Sequence, residues 1–182
     1  MPPKVKLTKE DIANKALDII RRDGYDALNA RSLATECDTS TMPLFHYYEN
    51  MDEIKRAAVQ VGIDKYNKYM NEAMSSVEPF KNVGRAYIKF AQDEPELFRM
   101  FFMMPTSKIE GLPEVDANTK PVIDIASGLL DGNQESGARM LFDMWIFVHG
   151  IATLCVTGKK KFTDEEISEI TSSVFRRLKG GV

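Results

Sequence analysis

The sequence predicts an all-α protein, with a three-helix head followed by a larger helical bundle. Three observations predict it. Apolar residues recur at helical spacing through most of the chain. Runs of alternating β-branched and aromatic residues are missing. Cap signals, a hydroxyl residue with an acid three positions on, stand at Thr8 and Thr163.

Each element follows from its own residues. Thr8 with Asp11 opens the first helix; Ile12, Ala16, Leu17, Ile19 and Ile20 fall largely on one stripe, and Gly24 ends it. Asn29 caps a short second helix through Glu36, with Leu33 and Ala34 inward. Ser40 is expected to cap a third, with Pro43 in its first turn, where a missing N–H costs little. A long fourth helix runs from Asp52 to about Met74, with the stripe Ile54, Ala58, Val61, Tyr66, Tyr69 and Met70. A fifth follows the break at Pro79 and carries Val83, Tyr87, Phe90 and Ala91. Pro95 opens a sixth, "PELFRMFFMM". "PTSKIEGLPEVDANTKP", Pro105 to Pro121, reads as a loop that could cover a binding site. A seventh helix covers about Val122 to Leu130. The eighth, about Gln134 to Thr157, is apolar almost all round and is expected to be central. Thr163 and Glu166 open a ninth, through Leu178. The expected domains are 1–53, the head, and 54–182, the bundle.

The totals narrow the function classes. Net charge is −3, so overall charge points to no nucleic-acid or membrane partner. Cys37 and Cys155 are too far apart in sequence for a disulfide framework or zinc spacing and fit a reducing compartment. The start, "MPPKVKLTKED", lacks the apolar centre of a signal peptide. Met140 to Val156 contains Asp143 and His149 and falls short of the roughly 20 residues a bilayer span needs. The expectation is a cytoplasmic protein with no membrane partner.

The head carries the clearest chemistry. Its helices are about sixteen, seven and eight residues long, and only Cys37-Asp38-Thr39 joins the second to the third. That is helix-turn-helix spacing, in which the later helix lies in the major groove. Thr39, Ser40, Thr41 and Met42 would then meet base edges and phosphates. Leu44 and Tyr48 would point inward, leaving Phe45, His46 and Tyr47 toward the groove walls. Spacing alone also allows an ordinary helical hairpin with the aromatics in its core. Charge does not decide between them: residues 1–56 hold 9 basic and 10 acidic side chains.

The stretch "IANKALDIIRRDGYDALNARSLATECDTSTMPLFHYYENMDEI" closely resembles the DNA-binding domain of the TetR family of transcriptional regulators. Ile12, Ala16, Gly24, Arg31, Leu33, Ala34, Leu44, Phe45, Tyr48 and Asn50 carry the match. The resemblance implies that Lys6, Arg31, Thr39, Ser40, Thr41, Met42, Phe45, His46 and Tyr47 contact double-stranded operator DNA. Three positions depart from the pattern. Asp38 stands where the family prefers Gly, Phe45 where it has Tyr, and Met51 where it has Lys. Each departure weakens phosphate contact, which motivates an alternative: a helical small-molecule-binding or interaction module with a weakened DNA-reading head.

The later half has its own resemblance. "AYIKFAQDEPELFRMFF" and, further on, "WIFVHG" are similar to the Trp-His-Gly type of TetR C-terminal domain, through Tyr87, Phe90, Ala91, Pro95, Phe98, Phe102, Trp145, His149 and Gly150. That similarity implies a small-molecule effector pocket among the fourth to eighth helices and a homodimer made by the last two, in a family that mostly represses. Phe and Met cluster in the sixth and eighth helices, and Met suits surfaces that accept varied apolar groups. The expected lining is Tyr66, Phe90, Phe102, Met103, Met140, Met144 and Phe147, with core packing as the alternative for each. No catalytic residue, metal site or cofactor is expected. His46 and His149 are the chain's two histidines, and neither has a nucleophile, base or metal ligand at a working spacing.

Overall fold

The computed structural model describes residues 7–109 and 118–180. Among these it contains eight α-helices and no strand: α1 Lys9–Asp23, α2 Ala30–Glu36, α3 Met51–Met74, α4 Pro79–Asp93, α5 Pro95–Phe102, α6 Thr119–Gly128, α7 Gln134–Val156 and α8 Asp164–Gly180. Short 3-10 segments lie at Tyr25–Ala27, Met42–His46 and Thr106–Lys108.

The chain divides into two compact units, Met1–Lys65 with Glu96–Pro113, and Tyr66–Pro95 with Glu114–Val182. The single helix α3 thus runs through both.

The third predicted helix differs from expectation. It is a five-residue 3-10 segment that starts at Met42, preceded by Thr41, whose side chain makes no cap bond; Ser40 does not cap it. Pro43 supplies no N–H, and the amides of Leu44 and Tyr47 bond carbonyls three residues back, Thr41 and Leu44, both at 3.2 Å. α3 then begins at Met51. Its buried stripe includes Val59 and Ile63 rather than Val61 and Tyr69, which are half-buried. Tyr69 instead sends its hydroxyl to Asp93 Oδ2 at 3.0 Å.

In the first unit Ile12, Leu17, Ile19, Ile20, Leu28, Leu33, Leu44 and Ile54 are buried, joined by Leu97 and Phe98 of α5. α5 ends at Phe102, so Met103 and Met104 lie beyond the helix, both amides turning back to the Arg99 carbonyl at 3.0 Å. At the start of the expected loop Ile109 is buried and Lys108 pairs with Asp26 at 2.6 Å. Residues 110–117 of that loop lie outside the described residues.

In the second unit α7 packs against α4, α6 and α8, as its apolar circumference predicts. The seventh predicted helix, α6, sits three residues earlier than expected at its start and ends at Gly128. Its crossing with α7 is tight. A Cβ on Gly137 would come within 2.1 Å of Ser127 Oγ and 2.8 Å of the Ser127 backbone nitrogen. α7 is 23 residues long, so it is long and apolar enough to cross a bilayer by length and composition alone. Packing on α4, α6 and α8 buries 33% of its apolar window.

Candidate nucleic-acid interface and effector core

The segment Ser40–Tyr47 is held from three directions. Upstream, Asn29 Oδ1 accepts from the Arg31 and Ser32 amides at 3.0 and 3.1 Å, fixing the start of α2. The turn after α2 closes with the Thr39 amide on the Ala34 carbonyl at 2.9 Å, and Asp38 takes the left-handed conformation at φ 48°. From the middle, Leu44 is fully buried. Downstream, the Tyr48 hydroxyl donates to the Lys9 carbonyl at 2.9 Å.

Glu53 completes the frame. Its Oε2 accepts from the Glu49 amide at 2.7 Å and its Oε1 from Lys9 Nζ at 3.2 Å, while Asn50 Oδ1 accepts from the Glu53 amide at 2.9 Å. The Glu49 amide and Lys9 together hold the Glu53 carboxyl below its ordinary pKa. Asn50 thus caps α3 while Glu53 bonds backward, a reciprocal arrangement that leaves few orphan amides.

Everything else on the segment is available. Ser40, Thr41, Met42, Phe45 and His46 are exposed, Met42 to 72%, while Thr39 and Tyr47 are half-buried. Among the described residues the hydroxyls of Thr39, Ser40, Thr41 and Tyr47 make no hydrogen bond, and exposed Arg31 makes no ion pair. Free hydroxyls and a free guanidinium beside a small-residue turn suit phosphate and base-edge contact. Lys6 lies outside the described residues.

The residues expected to line an effector pocket are divided between the units. Tyr66, Phe90, Met140 and Met144 are buried in the second unit and Phe147 is half-buried there. Tyr66 and Tyr69 both stand edge-on to Phe90, at 5.1 and 5.5 Å between centroids. Phe102 and Met103 belong to the first unit, where the Phe102 ring lies 4.9 Å from Phe98. Between α4 and α7 the Tyr87 hydroxyl meets His149 Nδ1 at 2.9 Å, and burial pushes the His149 pKa below its ordinary value. The His149 ring also lies against Trp145, tilted by 35° with 5.3 Å between centroids. His149 is thus a bonded packing residue.

Two features escaped sequence reasoning. The Lys9–Tyr48–Glu53 cluster joins positions some forty residues apart, with no local pattern to reveal it. Arg85 is half-buried between α4 and α8, yet sits four residues from Lys81 and from Lys89 in what reads as a solvated stripe. Among the described residues no group of three His, Cys, Asp or Glu side chains is placed to hold a metal ion.

A helical head that presents a short exposed segment after a tight turn, joined by one long helix to a helical bundle, defines a DNA-binding regulator of the helix-turn-helix class. Residues 80–178 match the profile of the tetracyclin repressor-like C-terminal domain. An uncharacterised helix-turn-helix-type transcriptional regulator of Mycobacterium tuberculosis is 28% identical, over 97% of this chain and 82% of that protein. A TetR-like transcriptional regulator from Rhodococcus sp. RHA1 superposes with a TM-score of 0.73 at 13% identity, covering 99% of this chain and 100% of that one. AibR, solved with isovaleryl coenzyme A and operator DNA, superposes with a TM-score of 0.65 at 17% identity, covering 92% of this chain and 97% of that one. The chain belongs to the TetR family of transcriptional regulators.

Proposed function

We propose that the protein is a cytoplasmic, homodimeric repressor that binds operator DNA through the segment Thr39–Tyr47, with Arg31 and Lys6 on flanking phosphates. A small apolar or amphipathic effector releases it. The observation that carries the reading is the contrast within one short segment: Leu44 and Tyr48 are buried while Ser40, Thr41, Met42, Phe45 and His46 are exposed with their polar groups uncommitted. AibR, with its bound acyl coenzyme A and operator DNA, supports the pairing of the two ligand classes.

The proposed effector site is the second-unit core around Tyr66, Phe90, Met140, Met144 and Phe147. An effector acts only through a difference in affinity between DNA-competent and DNA-incompetent arrangements. A coupling of about 1–3 kcal/mol lowers DNA affinity roughly 5–150-fold. The proposed route is α3, a continuous helix that carries both the Tyr66–Met70 stretch and Met51. Homodimerisation is supported by α7, where Phe142, Trp145, Ile146 and Leu154 are 58, 42, 51 and 41% exposed. So much apolar surface on one helix calls for a cover, and a second copy supplies it without a membrane. A regulatory role also leaves no need for catalysis.

The deciding experiment is fluorescence anisotropy of the purified protein with duplexes from the DNA upstream of its own gene. A salt-dependent complex on one duplex is the expected result. If no upstream duplex is bound above the level of random DNA, the helical binding module with a decayed reading head is the better description.

A further inference from the structure

The second unit holds a groove of about 450 Å³ between the end of α3, α4 and the start of α8. Tyr69, Ala73, Ala86 and Ile167 give it apolar walls, and Arg85 stands at its side. None of the proposed effector residues lines it.

Arg85 is short of a counter-charge. Its Nη1 donates to Asn82 Oδ1 at 3.3 Å and its Nη2 donates to Ser168 Oγ, while its Nε is buried with no acceptor among the described residues. A guanidinium carries five N–H donors and a permanent positive charge. Here two neutral oxygens meet it, and it makes no ion pair among the described residues. Lys89, the other cation in the groove, is already paired with Asp93 at 3.1 Å. Glu72 and Asp164 also line the groove but are exposed and do not bond Arg85. A partly desolvated charge without a partner is costly, and an anion with an apolar body would satisfy both the charge and the walls.

We propose that this groove is a small-molecule site distinct from the effector core, taking a monocarboxylate with an apolar body. The carboxylate pairs with the Arg85 guanidinium, and the apolar part lies against Tyr69, Ala86 and Ile167. One uncompensated cation with two acids nearby favours a monoanion over a dianionic phosphate. Charge-assisted pairing to Arg supplies the orientation. Since Arg85 lies on α4 and bonds Ser168 of α8, the ligand holds those two helices together.

The probe is octanoate, with octanol as the uncharged control, on the full chain. An NMR titration should shift the Arg85 Nε–H resonance, assigned by its loss in Arg85→Gln. Calorimetry should give a Kd at least about tenfold weaker for octanol, and for octanoate with Arg85→Gln. Ala86→Phe narrows the groove from α4 and should also weaken octanoate binding; it keeps the test decisive if Arg85→Gln folds poorly. Octanoate that binds either variant as tightly as the natural chain overturns the proposal, as does a failure to bind the natural chain at millimolar concentration.

Discussion

The Tyr48 hydroxyl donates to the Lys9 backbone carbonyl at 2.9 Å, while the Lys9 ammonium lies 4.6 Å from the centre of the Tyr48 ring. The residue that follows the segment proposed to read DNA is thereby fastened to the first turn of α1. Its neighbour Tyr47 has no such tie. Adjacent tyrosines therefore have different tasks, and substitution should separate them. Tyr48→Phe should lower unfolding free energy by about 0.5–1.5 kcal/mol, and Tyr48→Ala by about 3–5 kcal/mol. Tyr47→Phe should leave urea unfolding unchanged and weaken DNA binding. A Tyr47→Phe protein that unfolds as readily as Tyr48→Phe would show that the outward assignment of Tyr47 is wrong.

Asp38 sits at φ 48°, a conformation that Asn tolerates as well as Asp. Asp38→Asn keeps the turn and removes a negative charge next to the segment proposed to approach phosphate. Stability should stay within about 0.5 kcal/mol, while operator affinity should rise. Arg31→Ala should act in the opposite direction, weakening binding about equally across sequences and reducing the slope of log K against log salt by about 1. Anisotropy titrations at several salt concentrations measure both.

The α6–α7 crossing has no room for a methyl group at Gly137. Gly137→Ala should cost about 1–3 kcal/mol through overpacking. Adding Ser127→Ala should rescue it only in part. Removing Oγ leaves the Ser127 backbone nitrogen 2.8 Å and the Ile123 carbonyl 3.0 Å from the new Cβ. Full rescue in thermal unfolding would mean that the hydroxyl alone sets the spacing.

His149 gives the second unit a pH dependence of definite sign. Burial lowers its folded-state pKa below the ordinary 6.5, so across that window the unfolded chain binds more protons than the folded one. Stability is complete above pH 6.5 and declines as pH falls toward the folded value. Asp11, Glu53 and Glu166 are also shifted down, but they lose their contribution only below ordinary carboxylate values, 3.8 for Asp11 and 4.5 for the glutamates. Chemical unfolding from pH 7.5 to 5 therefore isolates the histidine. His149→Asn should flatten that interval and leave the acid limb in place.

Much of this was legible in the sequence because the signals were local. Thr8, Asn29 and Thr163 cap the helices they were expected to cap, since the signal and its partner lie within three residues. Leu44 and Tyr48 are buried as expected, but helical spacing is not the reason for Tyr48, which lies beyond the 3-10 segment and is held by its bond to the Lys9 carbonyl. The third helix was misjudged because Pro43 and the short span favour 3-10 bonding, which hydrophobic spacing does not distinguish from a first α-turn. Lys9–Glu53 and Arg85–Ser168 depend on contacts 44 and 83 residues apart, and residue spacing carries no record of them. The Phe and Met clusters were visible as apolar, but their division between two units was not.

The exposed stripe of α7 should be the dimer contact, and a single charge there should break it. Ile146 is half-exposed and lies one turn from Phe142, so Ile146→Arg adds a charge where the monomer needs no packing. The monomer fold should survive, giving unchanged far-ultraviolet circular dichroism. The mass by light scattering at micromolar concentration should fall to that of one 20.6 kDa chain. Trp145, the chain's one tryptophan, lies on the same exposed stripe and reports the event directly. Its emission should shift to longer wavelength on dilution of the natural protein, and should already be shifted in Ile146→Arg at every concentration. Operator binding should weaken in the same variant, because a symmetric dimer engages two half-sites about 34–36 Å apart and a monomer engages one. If Ile146→Arg stays dimeric with unshifted Trp145 emission, the second copy sits elsewhere and the α7 stripe has another partner.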